Sequence, residues 1–269
     1  MNQTHVVDGH TGVEHSLPVP RLYRDVITLF AKSGAGYTPT LIVGYGGLSG
    51  EYYWYQHTEV WKNARLLGFV PPDVVVPRSR RRTMAAEDDF HHVLIARGAA
   101  EILWAGGLVQ MGSHGQLQGL GAHWETWMLA HGGLTPLEAL RCATINGVRY
   151  LGLERDLGSI EPGKLADLAV LDRNPLEDIR HTETIAMVML NGRLYDAELN
   201  EVGGRPRPRF CWQREGRRPA GCPRAARARA GGRGGAVSVR RLVGAGRARD
   251  GPPAALRRPG GLPGLPGAD

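Results

Sequence analysis

The sequence predicts an α/β fold built on a parallel sheet, followed by a small β module and a tail of different composition. Three observations carry this. Residues 5–43 read as strand, helix, strand, the order that favours parallel pairing. The stretch from Gly106 to Glu125 reads as a short buried strand, Leu108 to Met111, that runs into a glycine-rich loop and a new helix. Residues 157–196 alternate apolar runs with Pro-Gly and Asn-Gly turns. At 269 residues the chain has room for one large domain or two small ones.

In chain order, His5 to His15 predicts a strand-like opening. Leu17 to Gly34 predicts a helix: Pro20 suits its first turn, Leu22, Val26, Leu29 and Phe30 share one face, and Gly34 ends it. Gly36 to Val43 is β-branched and apolar, a second strand. Residues 44–90 are too long for a simple βα connection, so they read as a lid or insertion. Tyr45, Tyr52, Tyr53, Trp54, Tyr55 and Trp61 crowd one end of it and Arg78, Arg80, Arg81 and Arg82 the other. Such a segment can grip a substrate or pack on another part of the protein.

Asp88 to Ala105 predicts a helix with Val93, Ala96, Ala100 and Leu103 on its buried stripe, two acids at its N-terminus, and His91 and His92 exposed in its first turn. Gly132 to Gly147 is the clearest helix. Thr135 and Glu138 make a capping box, Pro136 takes the first helical position, and Asn146-Gly147 is the stop signal. Leu157 to Asp172 predicts strand, Pro-Gly turn, strand. Ile185 to Asp196 predicts a hairpin about Asn191-Gly192. The expected organisation is residues 1–150 as α/β part, 151–202 as β module and 203–269 as tail.

The net charge of +7 is unevenly spread. Residues 203–269 hold sixteen Arg, no Lys and three acids, whereas residues 1–202 hold 17 basic and 23 acidic residues. The tail, rich in Arg, Gly, Pro and Ala, cannot bury enough apolar surface to offset chain entropy and is expected to be disordered. It lacks aromatic stacking platforms after Trp212, so nucleic-acid binding is not expected; it resembles a GC-rich stretch read in another frame. The three cysteines, Cys142, Cys211 and Cys222, have no zinc-finger or disulfide-framework spacing. No basic leader with an apolar run opens the chain, and no stretch approaches about 20 apolar residues. The default expectation is therefore a cytoplasmic chain with no membrane contact.

The chemistry-bearing residues cluster where strands end. Polar, ligand-capable side chains at the end of a buried strand mark an active-site rim in α/β barrels; a plain Gly-rich link between strand and helix is the alternative. His114 and Gln116 lie in that loop, and His123 and Glu125 where the next helix begins. His10, Glu14 and His15 bracket the end of the first strand. Histidine serves there as a neutral metal ligand or as a base near neutral pH, or simply as a surface or core residue.

Several of these segments resemble the C-terminal half of the amidohydrolase superfamily, nearest its imidazolonepropionase/prolidase-like branch. They are Gly112-Ser-His-Gly115, the Leu-Thr-Pro-Leu-Glu-Ala-Leu-Arg helix, the motif Gly158-Ser-Ile-Glu-Pro-Gly-Lys-Leu-Ala-Asp167, Asn174-Pro-Leu-Glu-Asp-Ile179 and the Asn-Gly-Arg-Leu-Tyr-Asp hairpin. The resemblance covers roughly residues 5–200. It implies a (β/α)8 TIM-type barrel with a composite β-sandwich, of which this chain holds about strands 6–8 and part of the sandwich. It implies a metal-dependent hydrolase that cleaves carbon–nitrogen bonds of small molecules with metal-activated water, usually on zinc. By that resemblance Gly12-Val-Glu-His15 matches the strand-six motif and makes His15 a metal ligand. His114 falls where the family has an Asp that contacts metal and shuttles the proton, so it is expected to bind metal or act as the base. His10, Glu14, Gln116, His123 and Glu125 are the candidate substrate or supporting residues. The family's other ligands, an HxH pair on strand one and a His on strand five, have no counterpart here. The expectation is a fragment whose divalent metal site is complete only when a missing barrel half or an oligomer partner supplies ligands. The alternative is a catalytically inactive chain whose basic tail binds nucleic acid or a partner.

Overall fold

The structure is a computed structural model that describes residues 2–19, 21–117 and 119–204. The chain divides into two units at Pro223/Arg224, and every described residue belongs to the first. Pro20, Gln118, Trp212, Cys211, Cys222 and nearly all of the tail read as disordered therefore lie outside the described residues.

The first unit is mixed α/β. Its opening is a helix, α1 (Asn2–Val7), not the strand-like run expected; only Gly12–Glu14 is extended, as β1. α2 spans Arg24–Ser33, with Val26 and Phe30 buried and Gly34 left-handed at φ 75°, as the helix-stop glycine requires. It starts later than the sequence reading placed it. β2 is Gly36–Thr38, shorter than expected, because Thr40 turns left-handed (φ 51°) and Leu41–Val43 closes into a 3-10 turn. Residues 44–90 hold three short helices, α3 (Gly50–His57), α4 (Ala64–Phe69) and α5 (Pro72–Arg80). α6 (His92–Trp104) leads into β3 (Leu108–Val109), then α7 (Leu120–His131), α8 (Pro136–Ala143) and α9 (Ile145–Tyr150).

β1, β2 and β3 form a parallel sheet in that order, with Gly12 opposite Gly36 and Gly36 opposite Leu108. Alternation sends Val13, Tyr37 and Val109 to one face, where they are buried with Phe30 in one core. The other face carries Gly12, Glu14, Gly36 and Thr38. Both strand-to-strand connections contain helices, as parallel pairing demands.

The largest buried side chains are Trp124 and Trp127 of α7, with Trp54 of α3 beside them. Trp54 stacks on Trp124 at 6.1 Å and meets Trp127 edge-on at 5.1 Å. Each such ring removes about 150–250 Å² from water. The aromatic residues of 44–90 are thus core for a good part: Trp54 and Tyr55 are buried. Two readings of α6 need correction. Ala96 and Ala100 are buried as expected, but Val93 is exposed and Leu103 half-buried, and His92, Ile95, Gly98, Ala99 and Ile102 complete the buried face. His92, expected exposed, is 1% exposed.

The capping box at α8 is present: Glu138 N donates to Thr135 Oγ1 and Thr135 N to Glu138 Oε2 (2.8 Å). The helix stops earlier than Asn146-Gly147, at Thr144, and that dipeptide lies inside α9. Asn146 instead donates from Nδ2 to Val109 O at 3.0 Å, tying α9 to β3. Beyond α9 a second sheet runs β4 (Leu168–Leu171), β5 (Ile185–Leu190) and β6 (Arg193–Asp196), all antiparallel. The β5–β6 turn is Asn191-Gly192, both at positive φ, as a two-residue hairpin turn needs. The strand expected at Leu157 to Ile160 is absent. That segment is held by Lys164 Nζ, which donates to Glu154 O and Ser159 Oγ. Among the described residues no helix is long and apolar enough to cross a membrane.

Candidate functional site

The C-terminal ends of the three parallel strands converge on one place. β1 stops at Glu14, and His15 follows in a left-handed conformation, φ 68°. A β-region L-residue does not adopt this φ without cost, so the turn is held by its surroundings. The loop after β3 does the same at His114, φ 52°. Gly112 makes that loop possible: a Cβ there would sit 2.3 Å from Thr38 Cγ2. The two turns bring the His15 and His114 rings to 5.1 Å between centroids, edge to face. Tyr45 lies 6.0 Å from His15, and its N–H donates to the buried Ser16 hydroxyl at 3.1 Å. Residues 99 positions apart in the chain thus share one corner of the fold.

Gln116 stands at His114. Its Oε1 is 2.9 Å from Nδ1. An amide oxygen only accepts, so the ring carries its proton on Nδ1 and leaves the Nε2 lone pair free. Glu14 accepts from Tyr150 Oη at 2.9 Å. The Tyr150 ring lies on the glycine floor made by Gly12 and Gly36, whose Cβ atoms would meet it at 2.3–2.5 Å. On the same face Gln110, 3% exposed, donates from Nε2 to Thr38 Oγ1 (2.9 Å), while its Oε1 has no hydrogen-bond partner.

The remaining sequence candidates lie elsewhere. His10 precedes β1 and stacks edge-on against His5 at 4.7 Å, at the opposite end of the strand from His15. His123, on α7, pairs through Nδ1 with Thr182 Oγ1 at 3.2 Å. Glu125 is fully buried and accepts the Leu41 and Ile42 N–H groups at 2.7 and 2.9 Å. Burial pushes its carboxyl up to about 8, against the pull of those two donors. It supports the turn after β2 and has no path to a ligand.

Sequence reasoning missed Glu51, in the first turn of α3. It is 8% exposed, and its Oε2 has no hydrogen-bond partner. Burial raises its pKa; the charges of Arg78 and His114 hold it back, which places it in electrostatic reach of the histidine pair. Nothing in the local sequence marks it. Gln110 and Tyr150 were also missed, although the paired glycines of β1 and β2 are a signal that a ring lies across them.

A divalent metal is what the resemblance implies. The described residues contain no group of three or more His, Cys, Asp and Glu able to hold one. His15 and His114 are two donors, and a catalytic zinc site takes three protein ligands. On this geometry the residues present do not make a metal centre by themselves.

The fold and site define the class first: a parallel α/β unit with histidines at the C-terminal ends of its strands. Comparison with known proteins then gives the family. Residues 88–195 match the model of the amidohydrolase family. The chain is 58% identical over 38 residues to adenine deaminase 3 of Rhizobium meliloti, covering 14% of this chain and 6% of that protein. It is 36% identical over 75 residues to the imidazolonepropionase of Geobacillus kaustophilus, 24% of this chain and 18% of that one. A solved Xaa-Pro dipeptidase matches with a TM-score of 0.49 at 26% identity over 71% of this chain and 41% of that chain. The chain thus spans less than a fifth of the curated relatives it matches.

Proposed function

We propose that this chain supplies part of the catalytic surface of an amidohydrolase-type hydrolase that cleaves a carbon–nitrogen bond in a small molecule. It would contribute about strands 6–8 of a (β/α)8 barrel and part of a β-sandwich. The observation that carries the reading is the meeting of His15 and His114 at 5.1 Å, from two strand ends, with Gln116 fixing the His114 tautomer.

In this reading His114 is the base. Its Nε2 lone pair accepts a proton from the attacking water as the new carbon–oxygen bond forms. The same proton then passes to the leaving nitrogen as the carbon–nitrogen bond breaks, so the imidazole ends as it began. Gln116 holds Nδ1–H through both steps. His15 and Glu14 border the site, and Glu14 is kept in place by the Tyr150 hydroxyl. Zinc, or another divalent ion, would lower the pKa of the attacking water when bound. With His114 as the base, His15 is the one imidazole of the pair left to hold it, so the remaining ligands must come from another segment or another chain. The substrate class is drawn from relatives that act on purines, imidazolones and dipeptides, and the Arg-rich tail has no part in this reading.

The test is His114→Ala and Gln116→Leu in a metal-loaded protein that contains the complete barrel. Substrates are an aminopurine, an imidazolone and an Xaa-Pro dipeptide. His114→Ala is expected to lower kcat by about 10²–10⁴-fold, the usual worth of a positioned base. Gln116→Leu should cost less and move the acid limb of the pH–rate profile. Full activity in His114→Ala removes the role given to that residue.

A further inference from the structure

A second site lies away from the histidine pair. A cavity of about 680 Å³ opens between the α4 segment, the start of α7 and the β5 strand, and neither His15 nor His114 lines it. Small-molecule pockets span roughly 300–1,000 Å³ and combine an apolar body with a few polar groups. Here Leu66, Phe69, Leu120, Ile185, Val188 and Leu199 supply the apolar wall.

The polar groups restrict what fits. The Thr182 hydroxyl accepts the Trp127 indole N–H at 2.8 Å, which leaves its own proton for His123 Nδ1 at 3.2 Å. An imidazole that accepts at Nδ1 carries its hydrogen on Nε2. Burial lowers the His123 pKa, so the ring is neutral at neutral pH. His123 therefore offers the cavity one N–H donor and no charge. Arg65 is committed in part to Ile185 O (3.0 Å) and is outnumbered in the lining by Asp172 and Glu183. That excess of negative charge disfavours an anion.

We propose that this cavity binds a neutral, largely apolar small molecule whose carbonyl-type oxygen accepts a hydrogen bond from His123 Nε2–H. The inference does not depend on the hydrolase reading, because it uses none of that site's residues.

The test uses the full 269-residue chain and a neutral fluorescent ketone, 6-propionyl-2-dimethylaminonaphthalene, whose emission moves to the blue on leaving water. Saturable binding with a blue shift is expected. His123→Phe keeps the ring and removes the donor, so Kd should rise about tenfold, the value of one hydrogen bond near 1.4 kcal/mol. Val188→Trp fills the cavity and should abolish binding, with circular dichroism confirming that both variants fold. The parent 2-dimethylaminonaphthalene, which lacks the ketone, should bind wild type as weakly as the ketone binds His123→Phe. No saturable binding to wild type overturns the proposal. So does binding that survives Val188→Trp, or an unchanged Kd in His123→Phe.

Discussion

Both oxygens of the Glu125 carboxyl are spent on the backbone of a turn 83 and 84 residues earlier. That turn, Leu41–Val43, follows β2, so one α7 side chain fixes how the chain leaves that strand. Removing it in Glu125→Ala strands two buried N–H groups, at roughly 1–3 kcal/mol each. Chemical denaturation should report a loss of about 2–5 kcal/mol, large for a single substitution. The pH dependence has a definite sign. The folded carboxyl titrates near 8, above its ordinary 4.5. Its stabilising share is therefore complete below 4.5 and lost as pH rises through 8. Wild type should lose stability relative to Glu125→Gln between pH 5 and 8, and a parallel pair of curves would refute this.

At the scale of elements, α3 is latched to the helical core through rings. Tyr53 packs against His57 (4.3 Å), His92 (4.7 Å) and His131 (5.7 Å). His92 Nε2 lies 3.4 Å from His131 Nδ1, an arrangement that requires at least one neutral ring. Burial first, then the His131 and His57 charges, push His92 down to about 3. Burial also lowers His131, with Arg180 adding to it, while Glu87 opposes both and pairs with His57 at 2.8 Å. For a histidine depressed on folding, stability is full above its ordinary 6.5 and lost as pH falls toward 3. Protection factors of the α3 amides, which correct for the intrinsic pH dependence of exchange, should therefore fall at pH 5 relative to pH 7.5, and His92→Phe should flatten that change; equal protection at both pH values would sink the latch. The sequence reading had His92 exposed, for a physical reason. The segment His92–Trp104 is apolar nearly all round, so its own pattern does not choose a face; packing against α7 chooses it. The Thr135–Glu138 box and the Asn191-Gly192 turn were legible because their chemistry is local. His15 and His114 stood out in the sequence because each follows a strand beside glycines, and the structure brings their rings together. Gln110 and Tyr150 were not legible, since their partners Thr38 and Glu14 lie 72 and 136 residues away in the chain, and Glu51 was not, since its burial comes from packing and no local motif marks it.

At the scale of the whole molecule, the two edges of the parallel sheet are unlike. The β3 edge is closed: Met111 N donates to Cys142 O at 3.0 Å, and Asn146 caps Val109 O. Helices α8 and α9 therefore blunt that side. The β1 edge has no strand beside it among the described residues. The Gly36 N–H donates to Thr11 O, and the parallel register then turns Val13 N–H toward β2 and the Gly12 and Glu14 N–H groups outward. An outward row of donors and acceptors is a template for another strand. The amidohydrolase relatives are longer than the span this chain matches, which agrees with an edge meant to be covered. Purified alone, the chain should self-associate through β1 as its concentration rises into the tens of micromolar, on the order expected for a modest exposed edge. Glu14→Pro deletes an outward N–H while leaving the β1–β2 bonds intact, and proline is tolerated on edge strands. Glu14→Gln keeps that N–H. Sedimentation velocity over a concentration series should show association in wild type and Glu14→Gln, and a monomer in Glu14→Pro. A wild-type chain that stays monomeric throughout would refute β1 as an open edge.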